Sequence, residues 1–188
     1  MATPETQNPS ASSNPGGRYE SYDVFLSFRG FDTRKKFTDH LYHALKHEGF
    51  RTFRDDDEID RGDVIKPELQ KAIVNSRTSV IVLSKNYANS TACLFELQTI
   101  LELCKKSDHF VLPVFYEVDP GEIKEQSKNL GFGKKEVAAE KVKGWSVALK
   151  EVASMAGMVS QNQFDGLEIK TPLLLAYAYT RLENYFMD

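Results

Sequence analysis

The chain has 188 residues, 41% of them hydrophobic and 27% charged, which is enough for one globular domain with its own core. A net charge of −3 gives no general attraction to nucleic acid or to an anionic membrane surface. The longest apolar runs, Val80 to Leu83 and Phe110 to Tyr116, are far too short to span a bilayer.

Residues 1–20 are Pro, Ser, Asn and Gly with almost no apolar content. They cannot bury enough surface to offset their ordering entropy, so a disordered leader is expected ahead of one domain over 21–188. No basic-then-apolar signal pattern opens the chain, which points to the cytoplasm, with the nucleus as the alternative.

From Tyr22 the pattern changes. YDVFLSF (22–28) reads as a strand, and Phe37, Leu41, Ala44 and Leu45 then recur at helical spacing until Gly49 stops the helix. FRTFRD (50–55) is a second strand, followed by a long charged loop from Asp55 to Val64. Pro67 opens a second helix carrying Leu69, Ala72 and Ile73. TSVIVLS (78–84) is a third strand, with Leu94, Leu97, Leu101 and Cys104 on the helix after it. FVLPVFYEV (110–118) is a fourth. Gly131 and Gly133 weaken any helix between Lys124 and Val142. Val147, Leu149, Val152 and Ala153 mark another helix, a weak strand lies near Met158 to Val159, and a closing helix is expected over about 172–186.

Strands that read as continuous apolar runs between helices imply an α/β fold, with a parallel sheet covered on both faces. Five strands suit the flavodoxin-like order 2-1-3-4-5. Its ligand crevice lies at the carboxyl ends of the first and third strands, bordered by Arg29 to Arg34 and Lys85 to Cys93. The loop holding Arg61-Gly62 can fold over the same mouth.

The two cysteines, Cys93 and Cys104, fall eleven residues apart on one predicted helix. That is roughly 16 Å at helical rise, too far for a disulfide, and two free thiols suit a reducing compartment. His40, His43 and His47 line one flank of the first helix, where zinc binding is conceivable but no fourth ligand is evident. The acids Asp55, Asp56, Asp57 and Glu58 lack coordination spacing and read as a solvated loop, so no metal is assigned.

Read in order, YDVFLSFRGFDTRKKFTDHLYHAL, FRDDDEIDRGDVIKPELQKAI, SVIVLSKNYANSTACLFEL and LPVFYEVDP resemble the TIR domain of plant immune receptors, from about Tyr22 to Gly157. The resemblance implies a flavodoxin-like signalling domain that self-associates and, in many plant members, cleaves NAD+ between nicotinamide and ribose. NADP+ is the alternative substrate, and no cofactor is implied. It further implies nucleotide signals, an innate-immunity and cell-death role, and downstream lipase-like signalling proteins as partners. The catalytic glutamate of the family's C-L-x-E-L motif matches Glu96 in Cys93-Leu94-Phe95-Glu96-Leu97.

One carboxylate suffices for such chemistry. Nicotinamide leaves as a neutral molecule from an already cationic ring, so the general acid of ordinary glycosidases is unnecessary. What needs stabilising is an electron-poor ribosyl centre. The plainer reading of Glu96 is an acid favoured in a first helical turn.

The resemblance places substrate binding on Phe28, Arg29, Gly30, Phe31, Asp32, Thr33 and Gly62. Arg29 offers a fork of donors for phosphate or ribose oxygens, or else pairs with Asp32. Self-association falls on Asp39, His40 and Arg61, with Asp39 standing where the family has serine. Trp145 falls in a segment similar to the last family helix. Ala92 replaces the usual tryptophan before Cys93, and Phe31 replaces the usual acid. A catalytically weak adaptor acting through TIR–TIR contacts is therefore the alternative function.

Overall fold

Alternate residues of the central strands are apolar toward opposite faces, and two helical layers bury both. The computed structural model describes residues 21–55, 67–131, 138–160, 180 and 182–187. In chain order its elements are β1 (Tyr22–Phe28), α1 (Gly30–Thr33), α2 (Asp39–His47), β2 (Thr52–Arg54), α3 (Pro67–Val74), β3 (Ser76–Leu83), α4 (Thr91–Cys104), β4 (Phe110–Tyr116), α5 (Pro120–Gln126), α6 (Ala139–Val152) and β5 (Met158–Ser160). The sheet order is β2-β1-β3-β4-β5 and every pairing is parallel, as the periodicity implied.

Val24, Leu26 and Phe28 of β1 join Val80, Val82, Leu112 and Val114 under Leu41 and Leu45 of α2. Phe25, Ile81, Leu83 and Phe115 face the opposite layer, built from α3, α4, α5 and α6. By strand alternation Ser27 shares the face of Phe25, so it points toward α4. Trp145 fills the centre of that layer, edge-on to Phe95 at 4.9 Å. No helix among the described residues is long and apolar enough to cross a membrane.

The structure departs from the sequence reading in three places. The first predicted helix is broken: a widened turn at Arg34–Thr38, with Lys35 and Lys36 outside helical φ/ψ, separates α1 from α2. Buried hydroxyls bridge the break, Thr38 Oγ1 donating to Thr33 Oγ1 at 2.8 Å, so side chains do here what the backbone ladder would. β2 is only three half-buried residues, as an edge strand can be. Val147 is exposed, whereas Leu149, Val152 and Ala153 are buried. β5 and the helical residues 182–187 follow the Trp145 helix, as expected.

Leu182 seals the α2 layer, Phe186 lies against Phe50 and under Arg77, and the Tyr185 hydroxyl donates to the Asp108 carbonyl. The rest of the expected closing helix, the leader over 1–20 and the loop containing Asp56, Asp57, Glu58, Arg61 and Gly62 lie outside the described residues.

Candidate active site

Ser90 ends the loop after β3 and caps α4, its Oγ accepting from Cys93 N at 3.3 Å. Since α4 starts at Thr91, Glu96 is its sixth residue, and its first turn holds no acid. The helix dipole therefore does not account for Glu96, because that effect fades within the first turn. Its carboxylate points into the layer between α4 and the sheet, where it is only 7% exposed. There Ser27 Oγ donates to Glu96 Oε2 at 2.7 Å. The Tyr87 hydroxyl lies 2.9 Å from Ser27 Oγ and 3.0 Å from the Cys93 carbonyl, to which it can donate. Burial is the main reason the Tyr87 hydroxyl titrates well above its ordinary value, with the Cys93 and Glu96 charges adding to it.

The loops after β1 and β3 are tied by one side chain. Asp32 accepts from Arg29 Nη1 at 2.9 Å, Ser84 Oγ at 2.6 Å, Asn86 N at 3.2 Å and Asn86 Nδ2 at 3.4 Å. Burial opposes ionisation of Asp32, but the Ser84 and Arg29 hydrogen bonds, the Arg29 charge and the Asn86 amide outweigh it. They hold the carboxyl below its ordinary value.

Arg29 is thus the ion-paired arginine of the two sequence alternatives, with its guanidinium also 5.7 Å from the Phe31 ring centre. Phe31 itself is 93% exposed. Phe28 and Thr33 are buried in the fold. A Cβ on Gly30 would come within 2.8 Å of Arg34 Nη2, so this glycine makes room for Arg34 to lie over Phe28.

Asp39 opens α2 and accepts from Arg54 Nη1 at 2.8 Å, with His43 Nε2 at 3.6 Å. The Arg54 hydrogen bond is the first cause of its lowered pKa. His40 is exposed on the same helix. Among the described residues no group of three or more His, Cys, Asp or Glu side chains is arranged to hold a metal ion. Cys93 and Cys104 are both free thiols.

An open cavity of about 630 Å³ lies between the loops after β3 and β4, lined by Asn86, Asn89, Asp119, Glu122 and Gln126 among others. It is one strand away from the mouth expected between β1 and β3, and Glu96 is not among its lining residues. Residues 56–66, the expected cover of that mouth, lie outside the described residues.

Glu96, Arg29 and Asp32 stand out in the sequence, whereas Ser27 and Tyr87 do not. The available signal was a polar residue on the core-facing side of the apolar run YDVFLSF, and a tyrosine inside SKNYANS.

A TIR domain profile matches residues 21–169. The disease resistance protein RPV1 of Vitis rotundifolia is 48% identical over 166 residues, covering 86% of this chain and 12% of that protein. The TMV resistance protein N of Nicotiana glutinosa is 43% identical over 153 residues, covering 78% of this chain and 13% of that protein. The chain thus spans about an eighth of the length of these relatives. Among solved structures, the TIR domains of the activated Roq1 resistosome, which directly recognises the effector XopQ, match at a TM-score of 0.72. That match is 44% identical and covers 85% of this chain and 99% of the other.

Proposed function

The chain belongs to the TIR domain family, and from that premise we propose that it is an NAD+-cleaving signalling domain of plant innate immunity, active on self-association. In this reading the bond between nicotinamide and the ribose carbon breaks, the bonding electrons leave with neutral nicotinamide, and Glu96 stabilises the positive charge on the ribosyl centre. Water or a nucleotide oxygen then takes the vacated position, giving ADP-ribose or a cyclic product. NADP+ is the alternative substrate, and lipase-like immune proteins are the downstream partners. Action in the cytoplasm or nucleus fits the same reading.

The observation that carries it is Glu96 itself. A carboxylate only 7% exposed sits on the helix after β3, beside β1, at the switch point of the winding. A buried ionisable group at such a position is a functional-site candidate, since burying a carboxylate is costly and a poor source of stability. The surrounding apolar layer strengthens its field at a reacting centre.

The adaptor reading is favoured by two other observations. Ala92 offers no stacking face, and Arg29 is already engaged by Asp32. Nicotinamide release from NAD+ by purified protein separates the two. Wild type should release nicotinamide and Glu96→Ala should not, with turnover falling far more than NAD+ affinity because the charge grows only toward the transition state. Equal release by both proteins rules out the Glu96 mechanism. Silence from wild type together with retained TIR–TIR binding supports the adaptor.

A further inference from the structure

We propose that Ser27 and Tyr87 are positioning residues for Glu96, holding its carboxylate in the orientation the reaction uses; this rests on the NAD+-cleaving reading above. Three polar side chains from three elements meet inside a largely apolar layer. Ser27 is fully buried on β1, Tyr87 is fully buried on the turn Tyr87–Asn89, and Glu96 is on α4. Packing alone would be served as well by apolar residues of the same size, since polar groups in a core give little net stability and are costly when unpaired. A chain of hydrogen bonds that ends on a carboxylate instead restricts that carboxylate to one rotamer.

The proton count fits this role. A carboxylate can only accept, so the single Ser27 hydroxyl proton is committed to Glu96 Oε2 at 2.7 Å. Ser27 Oγ then has free lone pairs, and the Tyr87 hydroxyl lies 2.9 Å away. The tyrosine has one proton and two acceptors in reach, Ser27 Oγ and the Cys93 carbonyl at 3.0 Å. Negative charge on Glu96 polarises Ser27 and draws that proton toward it. Buried as it is, Tyr87 stays protonated and remains a donor. The pair therefore supports the ionised carboxylate without holding a positive charge that would cancel its field.

The charged and titratable groups on the elements packed around Glu96, among the described residues, agree with this. The Cys93 thiol on its own helix points to the Phe28 carbonyl at 3.5 Å. Arg29, just past the end of the strand that carries Ser27, is offset by Asp32. Lys141 on α6 sits 5.2 Å from the Phe95 ring centre.

The test combines NAD+ cleavage across roughly pH 5–9 with a carbon NMR titration of the Glu96 carboxyl in Ser27→Ala, Ser27→Thr and Tyr87→Phe. Ser27→Ala should lower kcat about ten- to hundredfold with a smaller change in KM, and should move the acid limb of the rate profile and the Glu96 titration upward together. Ser27→Thr keeps the hydroxyl and should recover most of both. Tyr87→Phe should shift both in the same direction by less.

A merely structural role would lower the active fraction without moving the limb or the carboxyl titration, and that result overturns the proposal. Unchanged kinetics in Ser27→Ala beside an inactive Glu96→Ala would also overturn it while leaving the NAD+-cleaving reading intact. Full cleavage by Glu96→Ala would instead rule out the Glu96 mechanism and this inference with it, and silence from wild type would end the NAD+-cleaving reading itself.

Discussion

The Asp32 carboxylate receives four donors from two loops, the one it belongs to and the one following β3. Its side chain is 11% exposed, so hydrogen bonds to its charge, worth about 1.5–3 kcal/mol each, are only weakly screened by solvent. Asp32→Asn keeps the shape and removes the charge. It should destabilise the protein by about 1–3 kcal/mol in chemical denaturation. The lowered pKa also fixes a pH signature: this stability is present above the ordinary value of 3.8 and is lost as pH falls through the folded value. Wild type should therefore lose stability in that acid window, and the loss should shrink in Asp32→Asn; parallel curves would show that the carboxylate is not the tie. At this scale the sequence was half legible. The pairing of Arg29 with Asp32 lies within three residues and was one of the readings open from sequence. The Ser27 contact to Glu96 joins positions 69 apart, which no local pattern reports.

The elements themselves were far more legible, for a physical reason. Strands buried on both faces give unbroken apolar runs, so β1, β3 and β4 declared themselves within two residues of their ends. The break between α1 and α2 did not, because Phe37, Leu41 and Leu45 keep helical spacing across it while the hydroxyls that replace the ladder look like ordinary threonines. The weakest strand depends on a contact that only the structure reveals. β5 joins β4 from Val114↔Met158 onward, and Pro113, which has no amide donor, lies just ahead of that ladder. Gly157 packs directly over it: a Cβ there would lie 2.7 Å from the Pro113 carbonyl and 2.9 Å from Phe115 Cε2. Gly157→Ala must therefore push β5 away from β4 and should cost about 1–3 kcal/mol, as overpacking does. A melting temperature equal to wild type would mean that β5 moves aside freely and contributes little to the domain.

For the molecule as a whole, the proposed self-association and the pH dependence of stability draw on opposite ends of the sheet. The crevice expected for this winding lies at the carboxyl end, and His40 stands exposed on α2, matched by the resemblance to a self-association surface. His40→Ala should lower the concentration-dependent mass in light scattering and nicotinamide release together, and unchanged mass with full activity would exclude this surface. The amino end is held by His109, which is 6% exposed where β4 begins. Its Nδ1 faces the Ser76 carbonyl at 3.0 Å, a pure acceptor, so Nδ1 carries the proton and Nε2 accepts from Ser79 Oγ at 2.8 Å. The neutral ring thus satisfies both of its partners on β3. Burial lowers the pKa of His109, and the Ser76 hydrogen bond only partly opposes it. With the folded pKa below the unfolded 6.5, the unfolded chain binds more protons between the two values. Stability is then full above 6.5 and falls as pH drops through the folded value. His109→Asn retains a donor for Ser76 but cannot titrate, so it should be less stable than wild type at neutral pH, having lost the Ser79 bond, yet show no loss from this group on acidification. Urea denaturation at a series of pH values below about 7 measures both. A His109→Asn curve that falls as steeply as wild type would place the acid sensitivity elsewhere, among carboxylates such as Asp32, whose window lies lower, below 3.8.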